Sequence, residues 1–360
     1  MTEFFFTKEQ KWLDEWDAFL QKSERGLYNQ LSDWIKSYEV YGFDYDFFLI
    51  KENGTIVGGC SIVIAKFSFF KFYIIPCGPV LSKGFENKID YIIETLKKDA
   101  TKRNCCYFQI SLPIVNDSRV FSDYTLPTVP NSSIYFSGKS GTKFKYVIPL
   151  YGMRLVELLD KNYSQVFDGF SKNHKRNINK SRNENLVFKF VTSSQDIEEG
   201  YNCFVLNAQD KGYPLRSFLS MKHTLQTYIT KDFAKLGCCF LNDKIVGAIY
   251  VMKTGNRFIY INGGVLKNYQ DLNCSHYMHD QIIKLSLELG YKSYDVSVGG
   301  SEGVIKFKEG FGSELYNFID TKHWIIKPMT FKIYNFLENI LKSHKTKIAS
   351  ILIKIKKFNR

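Results

Sequence analysis

A repeat limits the possible folds of this chain more than any other feature. IVGG at 56–59 returns as IVGA at 245–248, an offset of 245 − 56 = 189, and FYIIPCGPVL from 72 is answered by FIYINGGVL from 258, an offset of 258 − 72 = 186. Around each marker the same order of elements is predicted. In the first copy FFLIKENGTIVGGCSIVIAKF reads as two strands joined at Asn53–Gly54, a dipeptide suited to the left-handed positions of a tight hairpin. FYIIP then ends at Pro76, Ile89–Leu96 reads as helix and Tyr107–Leu112 as strand. In the second copy CCFLNDKIVGAIYVMK turns at Asn242–Asp243 and FIYINGGVL runs into a glycine pair. His276–Leu289 places Met278, Ile282, Leu285 and Leu289 on one helical face before Gly290, and YDVSV closes the unit. Near-constant offset with one element order implies an internal duplication. Two α/β units are expected, since 360 residues exceed what one core usually holds.

The other elements are placed around these copies. Glu9–Leu20 is predicted as a helix with Trp12, Trp16 and Phe19 on one face, and Tyr28–Tyr38 as a second with Leu31, Trp34 and Ile35 inward. A stretch rich in Ser, Pro, Gly and Thr from Asn116 to Tyr151 joins the copies, with KFKYVIPL at 143–150 as a strand inside it. The second copy is predicted to open with a helix from about Met153. Helices near 164–182, 197–203 and 217–229 and a strand at FKFVT follow. The expected division is 1–150, 151–328 and a basic helical tail at 329–360.

The formal charge of +13 is unevenly placed. From Asp320 to Arg360 ten Lys or Arg face two Asp or Glu, and SKNHKRNINKSR at 171–182 holds five basic residues and no acidic one. Such clusters suit an anionic partner, either RNA, a phosphorylated substrate or a membrane surface; a merely solubilising lysine-rich surface is the alternative. In the tail, Phe331, Tyr334, Leu337 and Leu341 recur at helical spacing and suit packing on the second unit or on another surface. Ile348, Ile351, Leu352 and Ile355 then alternate with Lys345, Lys347, Lys354, Lys356 and Lys357. That pattern fits either a helix lying on an anionic membrane or one docked on its own domain. Eight cysteines form no CxxC and no secretory signal is read at the start, so reduced thiols and a cytoplasmic location are expected, at the inner face of the membrane if the tail binds it. No apolar run is long enough to span a bilayer.

Chemistry concentrates in Tyr294–Gly312, YDVSVGGSEGVIKFKEGFG. A strand is expected to break into a glycine-bearing loop that presents Lys306, Lys308 and Glu309. Lys308, collared by Phe307 and Phe311–Gly312, suits a fixed positive charge facing an oxyanion or phosphate, against the plainer reading of an ordinary surface lysine. His276 and His279 are three apart on a helix with no third ligand evident, so no metal is expected; one is predicted partly buried and the other exposed. Gly263–Gly264 and Gly299–Gly300 follow strand ends and suit either close approach of a substrate or ordinary tight turns.

The second copy resembles the C-terminal half of the Fem family, aminoacyltransferases that build peptidoglycan side-chain bridges. The resemblance rests on SKNHKRNINKSR, on Arg216 after GYPLR, on the YINGG strand end and on FKEGFG; YNQLSDW at 28–34 and YIIPCGPVL at 73–81 extend it to the first copy. It covers about Trp12 to Pro328 and, with no charged heptad insert between Ser171 and Phe240, implies the compact form without a long helical hairpin. The implied fold is α/β, tandem duplicated N-acetyltransferase-like domains, each a twisted mixed sheet flanked by helices, with a substrate channel between them. The implied reaction moves an amino acid from aminoacyl-tRNA to an amine of a peptidoglycan precursor, lipid-linked or nucleotide-linked. Lys36 and Arg216 match family positions that contact the phosphorylated muropeptide, and Tyr213 and Tyr260 are expected against its sugar or base unless they are simple core or interface aromatics. Lys172, Lys175, Arg176 and Arg182 are the candidates for the tRNA backbone.

Attack of an amine on an ester passes through a tetrahedral oxyanion, which a preorganised cation stabilises; Lys308 is the candidate, and Asp295 and Glu302 are possible bases. The ester is already activated, so no cofactor, metal or nucleophilic residue is required. The strand ending at Asn262 leads into GGVLKNYQDLNCS, without the Q/R-x-x-G-x-G/A loop that holds the pyrophosphate of coenzyme A. An acyl-CoA-dependent N-acyltransferase acting on an amino sugar or surface-polysaccharide precursor is the alternative activity. A basic RNA- or membrane-binding module without activity is the non-enzymatic one. A monomer is expected.

Overall fold

The computed structural model describes residues 1–115, 117–121, 129–131, 133–134, 147, 150–319 and 321–343. Much of the predicted linker, with most of the proposed strand at 143–150, and the tail from 344 lie outside them. The first unit comprises β1 (Thr2–Thr7), α1 (Gln10–Lys22), α2 (Ser32–Lys36), β2 (Asp44–Glu52), β3 (Thr55–Phe67), β4 (Phe70–Ile75), β5 (Val80–Leu81), α3 (Ile89–Lys102) and β6 (Tyr107–Ile110). The second comprises β7 (Gly152–Glu157), α4 (Tyr163–Asp168), α5 (Lys172–Arg182), β8 (Val187–Phe190), α6 (Ser194–Lys211), α7 (Phe218–Thr230), β9 (Ala234–Leu241), β10 (Lys244–Thr254) and β11 (Arg257–Val265). It continues with α8 (Cys274–Glu288), β12 (Ser293–Asp295), α9 (Glu302–Glu309) and β13 (Glu314–Asn317). Last come β14 (Lys322–Ile325) and α10 (Pro328–Ser343).

Both hairpins form where the sequence places them. Asn53 and Gly54 take φ of 50° and 86°, and Asn242 and Asp243 take 49° and 61°, the left-handed pair that a two-residue turn between twisted strands requires. Among the described residues the first sheet runs β1-β2-β3-β4-β6-β14, with β5 beside β3, and the second runs β13-β7-β12-β11-β10-β9-β8. The repeat is legible in the pairing. Antiparallel β2, β3 and β4 correspond to β9, β10 and β11, and each set is followed by a parallel partner, β6 or β12. Tandem mixed sheets with helices on both faces are therefore the fold, as expected.

The next place in each sheet is filled differently. In the second sheet β7 pairs with β12, whereas in the first β14, from the far end of the chain, pairs with β6. The expected second unit, 151–328, thus loses its last strand to the first, and α10 follows it there. Phe331 stacks on Tyr107 at 5.1 Å and Tyr334 packs edge-on against Phe72 at 4.6 Å, so this helix covers the first sheet and not the second. Two local readings also change. Gly152–Glu157 is a buried strand instead of a helix, because Leu155 and Val156 are held by β12 and β13. Tyr28–Tyr38 is a broken run of short turns around α2.

The units share one core. Leu13, Trp16 and Leu20 of α1 are fully buried, and the cluster they belong to continues through Trp34 to Tyr228 and Tyr250 of the second unit. Trp34 donates its backbone N–H to the Tyr228 hydroxyl at 2.7 Å, Gln21 reaches the Lys253 carbonyl at 2.9 Å, and Lys292 pairs with Glu24 at 2.8 Å. A shared apolar core of this kind fixes the units against one another.

Candidate active site

Strands β11 and β12 pair in parallel only from Arg257↔Ser293 to Ile259↔Asp295; β11 then continues to Val265 against β10. Where β12 stops, Asp295 builds a turn. Its Oδ1 accepts the backbone N–H of Ser297 at 2.8 Å and of Arg154 at 3.0 Å, and Ser297 sits at φ 66°. That turn aims two carbonyls at one side chain. Lys308 Nζ donates to Ser297 O at 2.9 Å and Gly299 O at 2.7 Å, with the Tyr260 ring 5.5 Å away. An ammonium has three N–H groups, and the third has no acceptor among the described residues.

The environment tunes both charges. Lys308 is 3% exposed, and burial lowers its pKa to about 8, opposed by Asp295 and reinforced by Arg154. Burial pushes Asp295 up to about 6 against the pull of its backbone donors, Arg257 and Lys308. Arg154 is itself buried and pairs with Glu309 at 3.3 Å. Glu302, the other predicted base, is exposed and pairs with Lys306 at 2.8 Å, so it stands apart from this group.

Lys308 was expected on a loop and stands on α9. The eight residues Glu302–Glu309 close a helix with Glu302 and Lys306 one turn apart on its outer face. Phe307, one position before Lys308, and Phe311, three after it, pack against three histidines, and the Lys308 charge is felt at one of them, His279. His174 lies against Phe307 and Phe311 at 5.3 and 4.5 Å, His276 against Phe307 at 4.9 Å, and His279 against Phe311 at 5.2 Å. His279 is buried and His276 partly so, which corrects the expected exposed member: the apolar face of α8 turns both under α9. Burial lowers all three pKa values, that of His276 to about 4, and keeps the rings neutral near pH 7. No metal-ligating group of His, Cys, Asp or Glu occurs among the described residues.

His174 is the fastener. Its Nε2–H donates to the Phe307 carbonyl at 2.8 Å, while Nδ1 faces the hydroxyl of Ser171, the N-cap of α5, at 3.0 Å. The ring occupies the space over Gly310, where an added Cβ would come within 2.0 Å of Cε1. Glycine in FKEGFG is thus a packing requirement. Neither this clamp nor Arg154 was found from the sequence; the paired signal was a glycine inside the lysine motif and a histidine in the first turn of a basic helix.

Arg216 lies where the units meet. Its Nη2 donates to the carbonyl and hydroxyl of Ser37, both at 2.8 Å, and its guanidinium lies 4.9 to 5.6 Å from the rings of Tyr38, Tyr41 and Trp34. Its Nε and Nη1 are buried without a hydrogen-bond partner among the described residues. Lys36 does not join it: its ammonium reaches Gln10 at 2.8 Å and Asp33 at 3.6 Å. Tyr213 is exposed and its hydroxyl accepts from Asn207 at 2.9 Å, whereas Tyr260 is partly buried beside His279.

The basic stretch at 171–182 is helix α5, yet its charges are not equivalent. Arg182 is committed to the fully buried Asp280 at 3.0 Å and to the Tyr163 hydroxyl, and Lys175 caps the Asp168 carbonyl at 2.8 Å. Lys172 and Arg176 are exposed and form no ion pair among the described residues. Lys180 is exposed as well but donates to the Asp271 carbonyl at 3.2 Å, so among the described residues Lys172 and Arg176 are the charges the helix leaves outward without a partner.

Comparison with known proteins places these features. The FemAB family model matches residues 9–236, and an acetyltransferase (GNAT) domain model matches residues 169–309. A crystal structure of FemX is similar with a TM-score of 0.75 at 12% identity, covering 92% of this chain and 99% of that one. A conserved protein of unknown function from Bacteroides thetaiotaomicron is similar with a TM-score of 0.55 at 14% identity, covering 89% and 100%. The L-PGS of Bacillus licheniformis is similar with a TM-score of 0.51 at 14% identity, covering 86% and 90%. Identities this low speak for the fold alone. No curated protein matches in sequence. Because the FemAB model spans more than half of the 360 residues and the second unit adds an acyltransferase domain, this chain belongs to the FemAB family and is a transferase enzyme.

Proposed function

We propose that the chain moves an amino acid from aminoacyl-tRNA to an amine of a peptidoglycan precursor. The observation that carries this reading is Lys308, a buried ammonium held by two carbonyls with one donor uncommitted among the described residues, at the point where β11 and β12 part. The amine attacks the ester carbonyl carbon, the C–N bond forms, and the carbonyl oxygen takes up negative charge against the Lys308 N–H. Collapse breaks the bond to the ribose oxygen, which leaves with the proton lost by the amine. Asp295 acts as a positioning residue through the turn that supplies both carbonyls. For the precursor's phosphorylated part we propose the seam between the units at Arg216, whose Nε and Nη1, buried without a hydrogen-bond partner among the described residues, are the unused donors. The precursor is lipid-linked or nucleotide-linked, and the enzyme works as a cytoplasmic monomer.

Transfer of labelled amino acid from a full set of charged tRNAs to muropeptide precursors tests the reaction. Product from charged tRNA supports it; product from acyl-CoA alone transfers the assignment to the N-acyltransferase alternative that the match over 169–309 keeps open. In the same assay Lys172→Glu with Arg176→Glu is expected to raise KM for tRNA and to flatten its salt dependence while leaving KM for precursor unchanged, because backbone contacts are electrostatic. Equal effects on both substrates would remove α5 from the tRNA interface.

Arg216→Lys is expected to raise KM for precursor about tenfold with kcat nearly kept, the loss of one charge-assisted hydrogen bond. An unchanged KM would overturn the contact.

A further inference from the structure

Helix α10 has two apolar faces, and the fold uses one. Phe331 and Tyr334 pack on the aromatics of the first sheet. Met329, Ile333, Phe336 and Leu337 project outward, exposed by 74, 44, 66 and 39%. At 3.6 residues per turn these four occupy one arc of roughly 100°, the width of a stripe that normally faces a core. Beside the helix lies the β3–β4 turn. Phe70 touches Tyr334 at 5.3 Å, and its neighbour Phe69 is 63% exposed. Apolar side chains gathered this way on a soluble surface mark an interaction site.

We infer that α10 and the β3–β4 turn form a docking face for an anionic lipid bilayer. Charge selects this occupant. Lys332 lies on α10 beside the apolar arc, and Lys66 lies near the β3–β4 turn; both are exposed. The 17 residues beyond Ser343 add Lys345, Lys347, Lys354, Lys356, Lys357 and Arg360, no acidic residue, and Ile348, Ile351, Leu352 and Ile355 among them. Lysines rimming an apolar face suit lipid headgroups over acyl chains. A second copy of the chain would bring the same positive rim against itself, which like-charge repulsion opposes. The inference is independent of the transferase reading, since it concerns the first unit's outer face and not the site at Lys308.

Flotation of the full chain with vesicles tests it, using phosphatidylcholine alone and phosphatidylcholine mixed with phosphatidylglycerol. Binding is expected only to the mixed vesicles and is expected to fall with salt. Ile333→Glu with Phe336→Glu should reduce binding by at least about tenfold, because each places a charge where apolar surface would leave water. The melting temperature of that variant should match the parent, because both residues face outward. Absence of binding by the parent overturns the inference. So does undiminished binding by the variant, which would assign the membrane contact to residues 344–360 alone, and so does a dimer of the parent that the same substitutions dissolve.

Discussion

Lys308→Met is expected to lower kcat on the order of 10²–10³-fold, the usual loss when one oxyanion donor is removed from a preorganised site. KM for either substrate should change little, since the interaction is made only in the transition state. The variant leaves Ser297 O and Gly299 O without their donor, so its melting temperature is measured alongside, and Lys308→Arg is compared with it. The pH dependence supplies the independent readout. Burial lowers Lys308 to about 8, so its charge is complete well below that value and is lost as pH rises through it. Activity of the parent should therefore carry a descending limb near pH 8. Arginine stays charged throughout, so whatever activity Lys308→Arg retains should lack that limb. Full activity of Lys308→Met in a folded protein would remove the oxyanion role.

Ending the chain at Ile319 is expected to unfold the first unit, although that unit's other strands and helices end about two hundred residues earlier, at Ile110. The deletion removes β14, whose His323 is fully buried against the Tyr107 hydroxyl and whose Trp324 stacks on Phe108 at 5.1 Å. It also removes Phe331 and Tyr334 from Tyr107 and Phe72. Each large aromatic is worth about 2–3 kcal/mol of burial, and a domain holds only roughly 5–15 kcal/mol in total. Three such losses, with the buried His323 contact, consume much of it. They also leave β6 as a bare edge, open to aggregation. Calorimetry should show no cooperative transition for the first unit, and amide exchange in β6 should be unprotected. A chain ending at Ser343 keeps the strand and helix and serves as the comparison. An unchanged melting temperature for the shorter chain would show that β14 is an ornament on a finished sheet.

Several elements were legible because their signal is local. Asn53–Gly54 and Asn242–Asp243 announce hairpins by the backbone conformation they tolerate, and Met278 and Ile282 announce the buried face of α8 by their spacing. The repeat followed from matched segments at a near-constant offset, and with it the tandem architecture. Lys308 was legible as a residue, while its helix was not, since eight residues carry too little periodicity to separate a short helix from a loop.

What the sequence determined by itself was therefore the two α/β units, their hairpins and helices, the family, and the lysine on which the proposed chemistry turns. Tertiary structure alone decided which charges are available and which segments complete which sheet. Arg182 and Lys175 look like Lys172 and Arg176 in the sequence, but Asp280, ninety-eight residues beyond Arg182, and the Asp168 carbonyl hold the first two. His174 fastens α9 across 133 residues and β14 closes a sheet begun at Thr2, contacts that no local pattern encodes. The reason is physical: propensity and periodicity act within a few residues, whereas the pairing of distant groups is settled by which arrangement buries apolar surface and leaves the fewest buried charges and edges without a partner.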